Sequence, residues 1–390
     1  MLLKEYAKGR RRPNSGRYEL PYSRLNMGME LRSSTEISSE NCSSSARPEQ
    51  HSTRTPHRTT VILLLAIILG LCDRNYWQYS NVDHYWPTYW MPFIHGTALA
   101  PEQYRIGVKL AAWWLVQHLH WGFRHGYALM DVVASVPGSL LLFDMLERKR
   151  WYRNARVELQ WFASAAFLML VCFNLMWIES YFRPETLPTT GLVALMAWLW
   201  TRRGDAPPSL SRELLIIVGL LAASLAQGFI RADVVCMLSA GIFFVSVFAW
   251  GRGISLRRSA AIATSVACGL IGVGIQLYLM KIRYPQATYG PIPVWMIRYA
   301  LRQPLNFPPF LCFVLPFAWT VIRLFRRPPP ADAANQGILV GSVLYFALWV
   351  VMGKLDEVRI FVPFALALAP LTIELMIRRI GNPERAGVQA

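Results

Sequence analysis

A single carboxylate among aromatic rings is the sharpest chemical signal in this chain. The run Asn81-Val82-Asp83-His84-Tyr85 falls within fifteen residues that hold seven aromatics: Tyr76, Trp77, Tyr79, Tyr85, Trp86, Tyr89 and Trp90. A carboxylate so placed can act as a general base or hold a divalent metal. The rings around it can stack on the apolar face of a sugar or hold a lipid chain. The competing reading is an aromatic belt at a membrane interface with a solvated aspartate. Arginines supply the second signal. Arg231-Ala232-Asp233 sits between two apolar blocks, too short a connection to leave a membrane surface, and Gly353-Lys354-Leu355-Asp356-Glu357-Val358-Arg359 sits between the last two. Guanidinium forks match phosphate and carboxylate geometry. Arg231 and Arg359, with Arg105 as a third, would suit an anionic ligand. The alternative is mutual pairing, Arg231 with Asp233 and Arg359 with Glu357, serving structure alone.

Other ionisable residues carry weaker signals. Arg183-Pro184-Glu185 tops another short connection and reads more readily as a solvated turn than as part of a site. Asp131 lies about one turn inside an apolar block, as a proton or ligand site or as a hydrogen-bonded spacer. Five of the seven histidines fall between His84 and His125, but none has zinc-ligand spacing, so no metal site is assigned and a divalent ion at Asp83 stays open. Of the six cysteines, five lie in or at the end of apolar blocks and read as small core residues. The chain has no phosphate-binding GxxxxGK[ST] loop, no GxGxxG after a strand and no GxSxG, so nucleotide hydrolysis and serine-hydrolase chemistry lack their motifs.

The elements that must hold these residues are membrane helices. The chain is 390 residues long, 54% hydrophobic and only 16% charged, against roughly 25% charged in soluble proteins. Its apolar residues come in blocks rather than alternating, which excludes a soluble enzyme and a membrane β-barrel. Ten blocks are legible: 59–72, 126–146, 157–179, 187–200, 214–230, 233–250, 259–280, 308–325, 337–352 and 360–377. Several are shorter than the ~20 residues of an upright span. An all-α polytopic fold of about ten transmembrane helices follows, making up a membrane domain over 59–377. Residues 1–58, with ten serines, eleven basic and six acidic residues, read as a disordered basic cytosolic tail, and 378–390 as a short C-terminal one.

Topology turns on residues 106–122. If that segment does not span, both termini are cytosolic, and 28 lysines and arginines face inward against 12 outward. Arg105, Lys109, Gln117, His120 and Arg124 share one arc of a helical projection, so the segment reads as an amphipathic helix lying on the outer surface. The outer face then carries two long loops, 73–125 and 281–307. A net charge of +17 would suggest nucleic acid in a soluble protein; in a membrane protein it is a topology signal, and membrane lipids are the expected partners.

These features together resemble the C-type (GT-C) superfamily of integral membrane glycosyltransferases and their bacterial relatives. The likeness rests on Asp83-His84-Tyr85 early in a long first outer loop, Tyr104-Arg105 entering an interfacial helix, the Arg231-Ala232-Asp233 hairpin, and Glu357-Val358-Arg359 opening the last span. It covers roughly residues 59–377. The resemblance implies transfer of a sugar from a polyprenyl-phosphate donor to a lipid, polysaccharide or protein acceptor on the outer face. In a bacterium the membrane would be the cytoplasmic one, with the site facing the periplasm; in a eukaryote the site would face the lumen of the endoplasmic reticulum. By that analogy Asp83 activates the acceptor or holds a metal, Arg105, Arg231 and Arg359 bind donor phosphate, and His84 and Tyr85 shape the sugar site, with Asp233 and Glu357 beside the arginines. The chain departs from the pattern in having no acidic neighbour to Asp83, Asp73 being ten residues away. Two other classes compete: a transporter or flippase for a lipid-linked or anionic solute, and a non-catalytic membrane subunit of polysaccharide assembly. Few polar groups fall at mid-depth, Asn174 and Gln227 among them, which weighs against transport.

Overall fold

A computed structural model describes residues 54–80, 91–98, 100, 102–178, 183–204, 209–248, 256–287, 307–326, 333–352 and 357–380. Asp83, His84, Tyr85 and the two tails lie outside the described residues. Apolar blocks with no water to satisfy their backbone must close their hydrogen bonds within each segment. The described chain accordingly forms helices: α1 (Arg54–Gln78), α2 (Met91–His95), α3 (Gly107–Leu119), α4 (Phe123–Glu147), α5 (Arg150–Arg153), α6 (Val157–Met176), α7 (Thr186–Gly204) and α8 (Leu210–Phe248). They continue as α9 (Leu256–Tyr278), α10 (Phe307–Arg326), α11 (Ala333–Met352), α12 (Val362–Ala367) and α13 (Ala369–Ile380). No strand occurs among the described residues.

Among the described residues six helices are long and apolar enough to cross a membrane: Pro56–Gln78, Phe123–Glu147, Val157–Met176, Leu210–Phe248, Arg258–Arg283 and Ala333–Met352. The described residues of all ten apolar blocks nevertheless lie almost entirely on helix. Two of them merge in α8, whose 39 residues would be about 58 Å long if straight, nearly twice a bilayer core. Arg231 breaks it with an extended backbone (φ −156°, ψ 91°). The leg before Arg231 runs antiparallel to α7, with Gly219 against Leu199 and Arg203 paired to Glu213. The leg after it runs antiparallel to α9, with Cys236 against Gly272 and the Arg258 guanidinium on the Ser246 carbonyl. It also runs antiparallel to α11, with Trp349 on Asp233 and Gly341 against Leu238. The last apolar block is likewise broken. It becomes a 3-10 turn (Val358–Ile360), α12 and α13, interrupted at Leu368, and is the most enclosed part of the bundle: Val362, Phe364, Leu368 and Ile373 are fully buried.

The pairing of α1 with α4 fixes the path of the first loop. His57 meets Glu147 at one end, Cys72 meets Ser135 midway, and Tyr76 meets His125 at the other end. The chain between α1 and α4 therefore starts and finishes at the same end of the bundle. Its helix α3 has 13 residues, about 20 Å, too short to cross the core. It packs instead on the first turns of α4, where Gly126 touches Ala112, and on the α8 break, where Gly107 touches Phe229 and Ile230.

Close helix contact relies on glycine at defined points. A Cβ on Gly241 would collide with the Gly337 carbonyl and the Gly341 backbone, where nothing can rotate away, whereas one on Gly274 would meet nothing within 4 Å. Gly241→Ala is expected to destabilise the bundle by about 1–3 kcal/mol, the range for overpacking, and Gly274→Ala to leave it unchanged. Thermal unfolding of both variants in detergent checks this; equal midpoints would contradict the α8–α11 contact.

Candidate functional site

The start of α7, the break in α8 and the ends of α9 and α11 meet at one end of the bundle, and the charged residues of the connecting segments gather there. Arg231, buried at the α8 break where its backbone is extended, pairs with Asp233: Nη2 lies 2.7 Å from Oδ2 and Nε 3.4 Å from Oδ1. Asp233 Oδ2 also accepts a hydrogen bond from Trp349 Nε1 at 2.9 Å. The Arg231 guanidinium lies over the rings of Tyr345 (5.6 Å) and Trp349 (5.1 Å), and Arg105 lies over Trp349 as well (5.6 Å). One indole thus holds two guanidiniums from distant segments, an arrangement that favours ring faces and fixes both cations. Arg359, also buried, pairs with Glu357 at 3.0 Å. Arg183 pairs with Glu102.

Two further charges stand between these pairs. Lys109, on α3, is 5% exposed; its Nζ lies 3.9 Å above the Phe93 ring and 3.4 Å from the Glu102 carbonyl. Burial pulls its ammonium below the usual lysine range, and Glu185 and Glu102 partly offset that. Glu185 caps the start of α7, its carbonyl accepting the Thr189 amide, and its side chain is 4% exposed. Burial would raise its carboxyl, but Lys109, Arg105 and Arg183 outweigh that and hold it below the ordinary value, so it is ionised at neutral pH. Arg359 is lowered by burial, with Glu357 and Glu185 opposing.

The structure therefore brings together Arg105, Arg231, Asp233, Glu357 and Arg359, five of the eight residues singled out from sequence. The mutual pairs expected as the bland alternative both form. Arg105 differs from the other two: its backbone N–H donates to the Glu102 carbonyl, but its guanidinium, stacked on Trp349, makes no hydrogen bond or ion pair among the described residues. The other three residues, Asp83, His84 and Tyr85, lie outside the described residues. The flanks of their loop are anchored at this same end: Tyr79 donates to Asp131 Oδ2 at 2.8 Å, and Phe93 lies under Lys109.

Sequence reasoning undervalued four residues here. Glu185 reads as a solvated turn but is buried; only its neighbours from other segments reveal that. Lys109 reads as the polar face of a surface helix. Tyr345 and Trp349 look like filler in an apolar block, although their spacing of four puts both rings on one helix face, and that signal was available. Asp131 makes the hydrogen bonds that a spacer needs, while its Oδ1 is buried with no partner among the described residues. Its Oδ2 accepts from Asn75 (3.0 Å) and Tyr79, tying the end of α1 to α4. Among the described residues no group of three His, Cys, Asp or Glu stands close enough to hold a metal ion.

Next to the charged end, a cleft of about 550 Å³ runs between α3, α4, α7 and the first leg of α8. Its lining is apolar and includes Gly107, Met130, Pro137, Leu192, Ala226 and Ile230. Gly107 is two residues from Arg105 and Ile230 adjoins Arg231, so the cleft is lined by the same segments that carry the two cations. It follows α4 down to Leu141, about 16 Å along the helix from Met130.

Compared with protein-family models, with curated proteins and with solved structures, the chain matches none.

Proposed function

We propose that the chain is a membrane glycosyltransferase that takes a sugar from a polyprenyl-phosphate donor. The observation that supports this most is the joining of two unlike surfaces. An arginine stacked on Trp349, Arg105, lies two residues from Gly107 in the lining of an apolar cleft of about 550 Å³, whose Ile230 adjoins the Arg231 pair. Anionic head group and apolar tail are the two halves of a lipid phosphate, and each surface suits one of them. In this reading the chain crosses the membrane ten times, with the two legs of α8 as separate spans and the last span broken at Leu368. The basic runs 147–156, 202–212 and 378–385 then face the cytosol, and the Arg105 end faces outward.

The chemistry asked of the protein is modest. A glycosyl phosphate already carries a good leaving group, so cations that stabilise the departing phosphate and one base for the acceptor hydroxyl would suffice. Arg105 and Arg231 would take the phosphate oxygens, and Asp83 would take the acceptor proton.

Native mass spectrometry of the full chain in nanodiscs, with polyprenyl-phosphate sugars offered singly, tests the reading. The parent is expected to retain such a lipid, and Arg105→Ala to retain it at least about tenfold less, the loss of one charge-assisted contact. Arg105 pairs with no carboxylate among the described residues, so its removal is expected to lower the unfolding midpoint only slightly, by the loss of its stacking on Trp349. A folded parent that retains no such lipid would overturn the proposal.

A further inference from the structure

The construction around Trp349 occurs a second time, at the other end of the bundle. Trp198, on α7, donates its indole N–H to Asp144 Oδ2 at 2.5 Å. Arg148, one turn beyond Asp144, pairs with the same oxygen at 2.7 Å. The guanidiniums of Arg148 and Arg202 both lie over the Trp198 ring, at 5.7 and 4.7 Å. Every part has its counterpart at Trp349: an aspartate on the indole N–H, an arginine paired with that aspartate, and a second arginine on the ring. Like that of Arg105, the Arg202 guanidinium makes no hydrogen bond or ion pair among the described residues, and its Nε is buried. The basic residues next to it are engaged otherwise. Arg203 pairs with Glu213, and Arg212 donates to the Arg202 carbonyl at 3.1 Å. Arg202 lies 17 residues beyond Glu185, about 26 Å along a helix and close to the thickness of a hydrocarbon core. The two constructions therefore stand at the depths of opposite leaflets.

We propose that the Trp198 end is a second lipid site, which holds the phosphate of an anionic phospholipid in the leaflet it faces. Arg202 supplies the planar fork and Arg148 a second positive charge. The inference goes beyond the reading of the Arg105 end and does not depend on it. A guanidinium laid on an indole is fixed in its plane, so the ordering of a long side chain is already met before a ligand arrives. Its edge donors match two phosphate oxygens. Asp144 holds the indole and Arg148 together by one carboxylate, so ring and cations form one rigid surface. Trp198 and the side chains of Arg148 and Asp144 are only partly buried, which leaves the surface open to a head group. Tryptophan and arginine at the edge of a bilayer meet phosphate as lipid far more often than as a free ion, because the leaflet presents it at that depth.

The test offers the full chain in detergent two probes of equal chain length, phosphatidylglycerol and phosphatidylcholine, and reads retention by native mass spectrometry. The parent is expected to prefer the anionic lipid by about tenfold or more, and Arg202→Gln to lower that preference by about fivefold or more. Arg202→Lys, which keeps the charge without the fork, is expected to lower it by about threefold and serves where the glutamine variant does not fold. Arg153→Gln removes an exposed arginine at the same end and is expected to stay within about twofold of the parent. An equal loss in Arg153→Gln would mean that basic charge alone gathers the lipid, and would overturn the site. Asp205, three residues beyond Arg202, lies outside the described residues. Asp205→Asn is expected to leave retention unchanged; a rise of about tenfold would mean that Asp205 fills the fork, and would overturn the site too. Millimolar inorganic phosphate is expected not to displace the lipid, and displacement would assign the fork to the free ion instead. A folded parent with no preference overturns the proposal. Arg105→Ala is expected to keep the phospholipid preference, and Arg202→Gln to keep retention of a polyprenyl-phosphate sugar, so the two sites fail separately.

Discussion

Asp83→Asn is expected to lower sugar transfer by about 10²–10⁴-fold, the usual contribution of a positioned general base, while retention of the donor lipid stays within about threefold of the parent. The argument is one of elimination among carboxylates. Of the described carboxylates gathered at the Arg105 end, Glu102, Asp233 and Glu357 are each committed to an arginine, and Asp131 is buried under Asn75 and Tyr79. Glu185 is held ionised by Lys109, Arg105 and Arg183, and a carboxylate stabilised in that way is a weak base. None of these five is suited to take a proton from an acceptor hydroxyl. Asp83 belongs to the loop whose flanks, Tyr79 and Phe93, are fixed at this end, and its sequence neighbours are aromatic rather than cationic. Rings that exclude water without offering positive charge raise the basicity of a carboxylate. The measurement is transfer from a defined polyprenyl-phosphate sugar, with donor retention followed in parallel. Full transfer by the Asn variant would sink the assignment. Loss of transfer together with loss of retention would move Asp83 from the base to the binding surface.

How far the sequence carries can be traced through particular residues. The helical class is legible because a bilayer admits only helices and closed barrels, and continuous apolar blocks without alternation exclude the barrel; the described residues of those blocks lie almost entirely on helix. The number of long helices is less legible. Arg231 and Asp233 divide the run Leu210–Phe248 into two apolar blocks in the sequence, but arginine is a good helix former, so the form of the break, one extended residue inside otherwise continuous helix, shows only in the structure. The last block breaks at Leu368 through its packing in the centre of the bundle, flanked by Pro363 and Pro370, of which the prolines alone are visible in sequence. At the site, Arg105, Arg231 and Arg359 are legible because charges beside apolar blocks are rare enough to stand out. Glu185 and Trp349 are harder to read, because their meaning comes from other segments: Lys109 and Arg105 lie 76 and 80 residues from Glu185, and Asp233 and Arg231 lie 116 and 118 from Trp349. A buried carboxylate and a surface turn are spelled the same way, and the difference lies in what three other segments bring to it.

The second large effect concerns stability rather than catalysis. Asp233→Ala is expected to cost about 3–5 kcal/mol, because it leaves the Arg231 guanidinium buried without its counter-charge. Trp349 loses the acceptor of its indole N–H in the same step, and the two aromatic faces on Arg231 cannot replace a carboxylate. Removing both charges is a different matter. Arg231→Met with Asp233→Leu replaces a buried pair by apolar side chains of similar length. Such exchanges are often neutral or stabilising, since the desolvation of both ions disappears with them. The double variant is therefore expected to unfold near the parent's midpoint, and the single one well below it. Retention of a polyprenyl phosphate separates structure from function on the same samples. If Arg231 only braces the α8 break, the folded double variant retains lipid like the parent. If Arg231 holds phosphate, as proposed, the double variant is stable yet retains it at least about tenfold less. A single variant as stable as the parent would mean that water reaches Arg231 and that the pair does not brace the bundle.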